Sequence, residues 1–231
     1  MDKKRLASWL HEREFIYSLL ARLYKASPAT QLLETLSANR LLTSLVEDHE
    51  PLAAPEQFSV YSAVQQLQGE LDLGLTNPAD YQKLLRTDFN RLFVGPGHLA
   101  APPWESVYRS RERLVFGEQT LAVRAFYRSF GLESKKRHTE PDDHISLELE
   151  FMAWLCKQAA KPDISTEKLN FYMSGQIRFL SGHILEWAPA LCDDISKAAE
   201  SDFFRGLALL TKHWLKTDSA DTEIITKSLI V

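Results

Sequence analysis

The residues with the clearest potential for chemistry are Asp143, His144 and Glu148, which follow Pro141 in the sequence. Positions i and i+4 of a helix share one face, so His144 and Glu148 could together ligate a metal ion. A protein metal site usually has three or four side-chain ligands, and no other His or Cys lies within a helical turn of this pair. The sequence therefore favours structural roles for these residues and predicts no metal site.

The rest of the sequence lacks the motifs of common active sites. GxGxxG, the phosphate-binding P-loop, HExxH and GxSxG are all absent. The two cysteines, Cys156 and Cys192, form no CxxC pair, and Cys156 lies in an apolar segment where a small core residue is expected. The residues therefore single out no catalytic residue, and no bound cofactor is predicted. Such sparse cysteine usage fits a reducing compartment, with the cytoplasm as the default.

Residues 94–105, VGPGHLAAPPWE, interrupt the regular pattern. They hold two of the nine glycines and three of the ten prolines, so they predict an irregular loop. Loops commonly position binding groups, and this one carries a large rigid aromatic side chain, Trp104. Two interpretations stay open: Trp104 contacts a ligand, or it seals the protein core.

Composition excludes several classes of protein. Lys and Arg number 27 and Asp and Glu 31, which gives a net charge of −4, and the pI is near 6.0. A nucleic-acid-binding domain needs a basic surface, so that class is disfavoured. No apolar run approaches the roughly 18 residues of a membrane span. The start, MDKKRLASWLHERE, lacks the continuous apolar stretch of a secretory signal.

Helices must position these residues, because the helical period recurs along the chain and strand-like alternation does not appear. Glycine, at nine of 231 residues, is scarce, as expected of a mostly helical protein. The first helix carries an apolar stripe at helical spacing: Leu6, Trp9, Leu10, Ile16, Leu20 and Leu23. Further helices are predicted over about 30–50, 55–74 and 77–93. We predict an all-α fold, a single compact domain over 1–231 of about eight to ten helices.

The polar segment LESKKRHTEPDDH separates two apolar helical segments and changes from basic to acidic. It predicts a hinge over residues 131–142. After Pro141 a largely buried helix is expected, with Asp142 and Asp143 in its first turn, where acidic groups suit the helix dipole.

Two more long helices are predicted near the end of the chain, over 165–187 and 201–215. Proline disfavours a helix interior, so Pro189 is expected to separate them. The tail, residues 217–231, is first polar and then apolar, and its state is left open.

Several segments carry a resemblance to a known family. They are DFNRLFVGPGHLAAPPWESVY at 88–108, LVFGEQT at 114–120 and EPDDHISLELEFM at 140–152, with a fainter match in HILEWAP at 183–189. Together they resemble the TorD/DmsD family of cytoplasmic chaperones for molybdoenzymes exported by the twin-arginine pathway. The PPW loop looks closer to the chaperones of dimethyl sulfoxide reductases than to the other branch.

The resemblance implies a chaperone, not an enzyme, that binds the twin-arginine leader of a precursor reductase, of the dimethyl sulfoxide or trimethylamine N-oxide type. It implies that the chaperone holds the leader back from the translocase and helps molybdenum-cofactor insertion. It also implies an all-α fold, with a homodimer possible by domain swapping through the hinge. The alternatives are a helical guanine-nucleotide-binding protein and a structural subunit of a reductase complex. The sequence has no phosphate-binding glycine loop that would support nucleotide hydrolysis.

A receptor for such a leader needs an apolar groove with acidic groups at one end. We predict that the groove is formed by residues of the fourth helix and the PPW loop: Phe89, Leu92, Phe93, Pro103 and Trp104. Carboxylates that pair with arginine in a bidentate manner are expected from the EPDDH segment: Glu140, Asp142 and Asp143, with Pro141 between them. His144 is expected to fix the start of the following helix or to contact the peptide.

Overall fold

The structure, a computed structural model, describes residues 2–43, 57–95, 98–133 and 141–229. Over these residues the fold is all-α, as predicted, and the β-type pairing among them is one isolated bridge between Trp104 and His144. Two π-helical segments, Asn90–Val94 and Leu180–Ile184, directly follow α4 and α8. The α-helices are α1 (Lys3–Lys25), α2 (Thr30–Ala38), α3 (Gln57–Gly74), α4 (Pro78–Phe89), α5 (Glu105–Arg109), α6 (Glu118–Ser129), α7 (Ile145–Ala159), α8 (Thr166–Phe179), α9 (Leu185–Ala198) and α10 (Asp202–Leu229).

The chain divides into two compact units, each assembled from separate stretches of sequence. The first unit comprises Met1–Lys25, Pro103–Ala188 and Ser219–Val231. The second comprises Ala26–Pro102 and Pro189–Asp218. The grouping of all residues into a single domain stays a prediction.

In the first unit α1 packs along α7. All six residues of its predicted apolar stripe are buried, which confirms that this face of the helix belongs to the core. At one end of the pair, Lys25 Nζ donates to Glu150 Oε1 at 2.7 Å. Farther along, the fully buried Arg13 donates to Gln176 and lies 4.2 Å from the centre of the Trp9 ring. Contacts between distant parts of the chain therefore fix α1 in place.

An aromatic cluster joins α6, α7 and α8 within the same unit. The ring centres of Tyr127 and Phe151 are 4.7 Å apart, and those of Phe151 and Phe179 are 4.8 Å apart. Phe130 extends the cluster, with its ring 5.6 Å from Phe151. Tilted and edge-to-face aromatic pairs contribute about 0.5–1.5 kcal/mol each beyond their buried area, so this cluster stabilises the unit.

We expect Gly175→Ala to destabilise the protein by about 1–3 kcal/mol, the usual effect of overpacking a core. A Cβ at Gly175 lies only 2.4 Å from Phe130 Cζ, and the neighbouring aromatic rings restrict movement of that ring. The matched control is Gly69→Ala in α3, where a Cβ meets nothing within 4 Å. It should stabilise the helix by about 0.5–1 kcal/mol. Urea unfolding of both variants checks this pair, and equal midpoints would contradict it.

In the second unit the buried Asp88 links the end of α4 to the start of α10. Asp88 Oδ2 accepts from the Ser201 backbone N–H and hydroxyl, both at 2.8 Å, and from the Glu200 N–H at 3.0 Å. Arg91 donates to the other carboxylate oxygen at 2.7 Å. A carboxylate that accepts hydrogen bonds at a helix N-terminus is stabilising, so Asp88 holds these two elements together.

The boundaries of α7 differ from those predicted. Asp142 and Asp143 do not lie in its first turn, because the helix begins at Ile145. His144 is the capping residue, and its Nδ1 accepts from the Ser146 backbone N–H at 3.1 Å. The interpretation of His144 as the residue that fixes the helix start is therefore confirmed.

Two further expectations about the end of the chain are corrected or resolved. Pro189 does not separate two helices but lies inside α9, soon after the π-helical segment Leu180–Ile184, where the spacing of backbone hydrogen bonds already changes. The tail is helical, because α10 continues unbroken to Leu229.

The helix predicted over 30–50 is interrupted after Ala38, where Arg40 adopts a left-handed conformation with φ 46°.

Candidate functional site

The PPW loop and the segment before α7, which the sequence places about 40 residues apart, pair through their backbones. Trp104 and His144 form an antiparallel bridge. The Glu105 N–H donates to the Asp143 carbonyl at 3.0 Å, and the Ile145 N–H donates to the Pro103 carbonyl at 2.9 Å. The two family segments thus meet at one place in the first unit.

Asp143 is fully buried beneath this pairing, and both of its carboxylate oxygens are engaged. Oδ2 accepts from the Ser106 backbone N–H at 2.8 Å, and Oδ1 accepts from the Thr120 hydroxyl at 2.7 Å. Ser106 belongs to α5 and Thr120 to α6, so the carboxylate fixes both helices relative to the loop.

Asp142 forms an ion pair with α6. Arg124 Nε donates to Asp142 Oδ2 at 2.5 Å, and the Tyr127 hydroxyl donates to the Asp142 carbonyl at 3.2 Å. Burial, and then the neighbouring carboxyl groups of Glu148 and Asp142, raise the pKa of Tyr127 well above its ordinary value, so its hydroxyl keeps its proton. Asp142 Oδ1 is buried and has no hydrogen-bond partner among the described residues. One carboxylate oxygen in the site is therefore able to accept a further hydrogen bond.

Trp104 and His144 form the partly exposed part of the site. Their rings lie edge to face with centres 5.8 Å apart, and both side chains are of intermediate exposure. Trp104 Nε1 is buried without a hydrogen-bond partner in the described part of the chain. Since an indole N–H buried in a protein usually finds an acceptor, the Trp104 ring offers both an apolar face and an unused donor.

A second pair of carboxyl groups, Glu105 and Glu148, lies fully buried at the same site. Arg109 and His183 both contact Glu105, with 3.0 Å between His183 Nδ1 and Glu105 Oε2. Trp187 Nε1 donates to Glu148 Oε2 at 3.0 Å. Burial, and then the negative charge of Glu105, raise the pKa of Glu148 well above its ordinary value.

The proton on Glu148 has a structural role. Oε1 of Glu148 has no other hydrogen-bond partner among the described residues, and a hydrogen bond with Glu105 is one cause of the raised pKa of Glu148. Like-charged carboxylates in a dry site cannot both ionise without a large cost, so ionisation of Glu148 beside Glu105 is disfavoured.

The structure brings only part of the predicted site together. Six of the predicted residues lie in the first unit within or beside the backbone pairing: Pro103, Trp104, Pro141, Asp142, Asp143 and His144. Phe89, Leu92 and Phe93 belong to the second unit, where they are buried, and the Phe89 and Phe93 rings pack around Phe204 at 6.1 and 5.9 Å. Glu140 lies outside the described residues, as does most of the predicted hinge. The role of this set in peptide binding stays a prediction.

Sequence reasoning missed several residues of the site: Glu105, Arg109, Arg124, His183 and Trp187. His183 carried no signal beyond its place in the faint HILEWAP match, and Glu105 carried none beyond its position after Trp104. Glu148 was considered only as a metal ligand with His144, but the two side chains have separate partners, Trp187 and Ser146. Over the described residues, no group of three or more His, Cys, Asp or Glu side chains is arranged to hold a metal ion.

The chain matches the family described as nitrate reductase delta subunit over residues 58–193, and it belongs to that family. Among its relatives is the protein of Haemophilus influenzae named "Probable Tat proofreading chaperone DmsD", which is 34% identical over 143 residues, 62% of this chain and 64% of that protein. The Tat proofreading chaperone DmsD of Salmonella typhi is 31% identical over 124 residues, 54% of this chain and 55% of that protein. These matches span less than two thirds of the two relatives.

A third relative covers nearly the whole chain. The chaperone protein TorD of Aliivibrio fischeri is 26% identical over 214 residues, 92% of this chain and 95% of that protein. The resemblance to TorD and DmsD proteins inferred from the sequence is thereby confirmed. No helix in the described ranges combines the length and the apolar character needed to span a bilayer.

Proposed function

We propose that this protein is a chaperone, not an enzyme, that binds the twin-arginine signal peptide of a molybdoenzyme precursor in the cytoplasm before export. It would assist cofactor insertion and proofreading of a reductase of the dimethyl sulfoxide or trimethylamine N-oxide type. The relatives named as Tat proofreading chaperones support the class of function. The observation that carries the proposal is a cluster of buried carboxyl groups beside the partly exposed Trp104 ring.

The charges of this cluster suit an arginine pair. Four buried carboxyl groups meet there: Glu105, Asp142, Asp143 and Glu148. The raised pKa of Glu148 favours its neutral form, and Arg109 and Arg124 offset two of the other charges. One negative charge of the four is left over, and Asp142 Oδ1, which is buried but has no hydrogen-bond partner among the described residues, can accept from a guanidinium group that reaches the site.

A synthetic twin-arginine leader is expected to bind with a Kd in the micromolar range or tighter, about −8 kcal/mol. Trp104→Ala should weaken binding by about 1–3 kcal/mol, because a large aromatic side chain in a partly exposed site is typical of a binding hot spot. A leader with Lys-Lys in place of Arg-Arg should bind more weakly, since an ammonium group cannot pair with a carboxylate in a bidentate manner. Calorimetric titration measures all three affinities.

The matched control is Phe15→Ala, which removes an exposed aromatic ring from α1 and should leave leader affinity unchanged. If Trp104→Ala lowers only the melting temperature and not the affinity, Trp104 seals the core and the site lies elsewhere. Dimerisation by exchange through residues 131–142 stays a prediction, which size-exclusion chromatography over a wide range of concentrations tests.

A further inference from the structure

A cavity with lysines and apolar side chains lies in the first unit, between the start of α1 and the turn that joins α7 to α8. Its volume is about 310 Å³, at the lower end of the range for ligand pockets. Leu10, Ile164 and Leu169 contribute to its apolar lining. Leu10 is fully buried, whereas Ile164 and Leu169 are partly exposed, so the cavity opens to solvent above an apolar floor.

The charged lining of this cavity is of one sign. The described residues that line it include three lysines, Lys3, Lys4 and Lys161, and no carboxylate. All three side chains are exposed, and none forms an ion pair within the described parts of the chain. A second cavity of about 310 Å³ adjoins the first at Lys161 and Ile164, and its lining adds both Lys168 and the carboxylate of Asp163. The first cavity is thus the one whose charged lining is purely basic, around an apolar recess.

This local charge contrasts with the protein as a whole, whose net charge is −4. The overall charge disfavours unspecific attraction to a nucleic acid or an anionic bilayer. A small concave recess also suits an inserted side chain better than a flat lipid surface.

We propose that this lysine-rimmed cavity binds a short acidic peptide segment, which inserts an apolar side chain between carboxylates that pair with Lys3, Lys4 and Lys161. The site is independent of the proposed leader site, because a twin-arginine segment carries charge of the same sign as these lysines and is repelled by them. The protein would then have two peptide sites of opposite charge.

The test uses a fluorescein-labelled twelve-residue peptide in which Leu and Phe residues alternate with pairs of Glu. Fluorescence anisotropy of the full chain should show saturable binding that weakens as salt is added. The double variant Lys3→Glu, Lys161→Glu should weaken binding roughly tenfold or more, because both positions are exposed and attraction becomes repulsion. Ile164→Asp should also weaken it by placing a carboxylate on the apolar floor.

The matched control is Lys83→Glu, an exposed lysine of α4 in the second unit, which should leave the affinity unchanged. An excess of unlabelled twin-arginine leader should not displace the probe, whether or not the leader binds elsewhere. Equal affinity of the double variant and the wild type overturns the proposal, and so does displacement by the leader. Binding of phosphatidylglycerol vesicles without binding of the peptide overturns it in favour of a membrane contact.

Discussion

Replacing Asp143 by alanine should lower the free energy of unfolding by about 3–6 kcal/mol. The Ser106 N–H and the Thr120 hydroxyl are both buried and would lose a charged acceptor, and such hydrogen bonds contribute about 1.5–3 kcal/mol each. Asp143→Asn should cost about half as much, because the amide oxygen can keep one donor while the NH₂ group faces the other. Urea unfolding followed by circular dichroism measures both.

The control for this substitution is Asp163→Ala, in the exposed turn before α8, which should change stability by less than about 0.5 kcal/mol. An Asp143→Ala variant of wild-type stability with lost leader affinity would contradict the structural role. It would show that the carboxylate exchanges its partners in α5 and α6 for arginine.

Substituting Glu148 by glutamine should make the protein more stable relative to wild type as the pH rises. The pKa of Glu148 is raised in the folded protein, so the stabilisation from its bound proton is complete below the unfolded pKa of about 4.3. It is lost as the pH rises towards the folded pKa. The free energy of unfolding of the wild type should therefore fall by up to about 1.4 kcal/mol per pH unit in this range. The variant should show no such fall.

Glutamine preserves the hydrogen bonds of protonated Glu148, since its oxygen can accept from Trp187 and its NH₂ group can donate to Glu105. The measurement is the difference in free energy of unfolding between variant and wild type at pH 5 and pH 8. Glu150→Gln, an exposed position on the same helix, serves as the control and should follow the wild type. A difference that does not change with pH would mean that Glu148 carries no proton in the folded state.

The fold was predictable from the sequence wherever a local pattern decides the structure. The apolar stripe of α1 has the helical period and is buried as predicted. The proline-rich loop ends before α5, and its placement beside the EPDDH segment follows the family resemblance. Pro189 shows the limit of local rules, because a helix that packs well can retain a proline that its own sequence disfavours.

The centre of the site was not predictable in the same way. Three separate elements supply Glu105, Glu148 and His183. The sequence around Glu105 does not predict that its side chain is buried against Glu148 and His183. Such contacts are set by tertiary packing and not by spacing along the chain. Equally, Phe89 and Phe93 have the residue types of a binding groove, but the same types build a core, and only the position of Phe204 distinguishes the two.

The packing of α1 on α7 also determines when the protein can finish folding during synthesis. Lys25 meets a partner 125 positions later, and Arg13 one that is 163 positions later. At translation rates of about 5–20 residues per second, the 125 residues between Lys25 and its partner Glu150 take roughly 6–25 s to synthesise. During that interval the leucines of α1 have emerged from the ribosome before the helix that covers them. A nascent chain stalled before residue 145 therefore lacks the helix that covers the apolar face of α1.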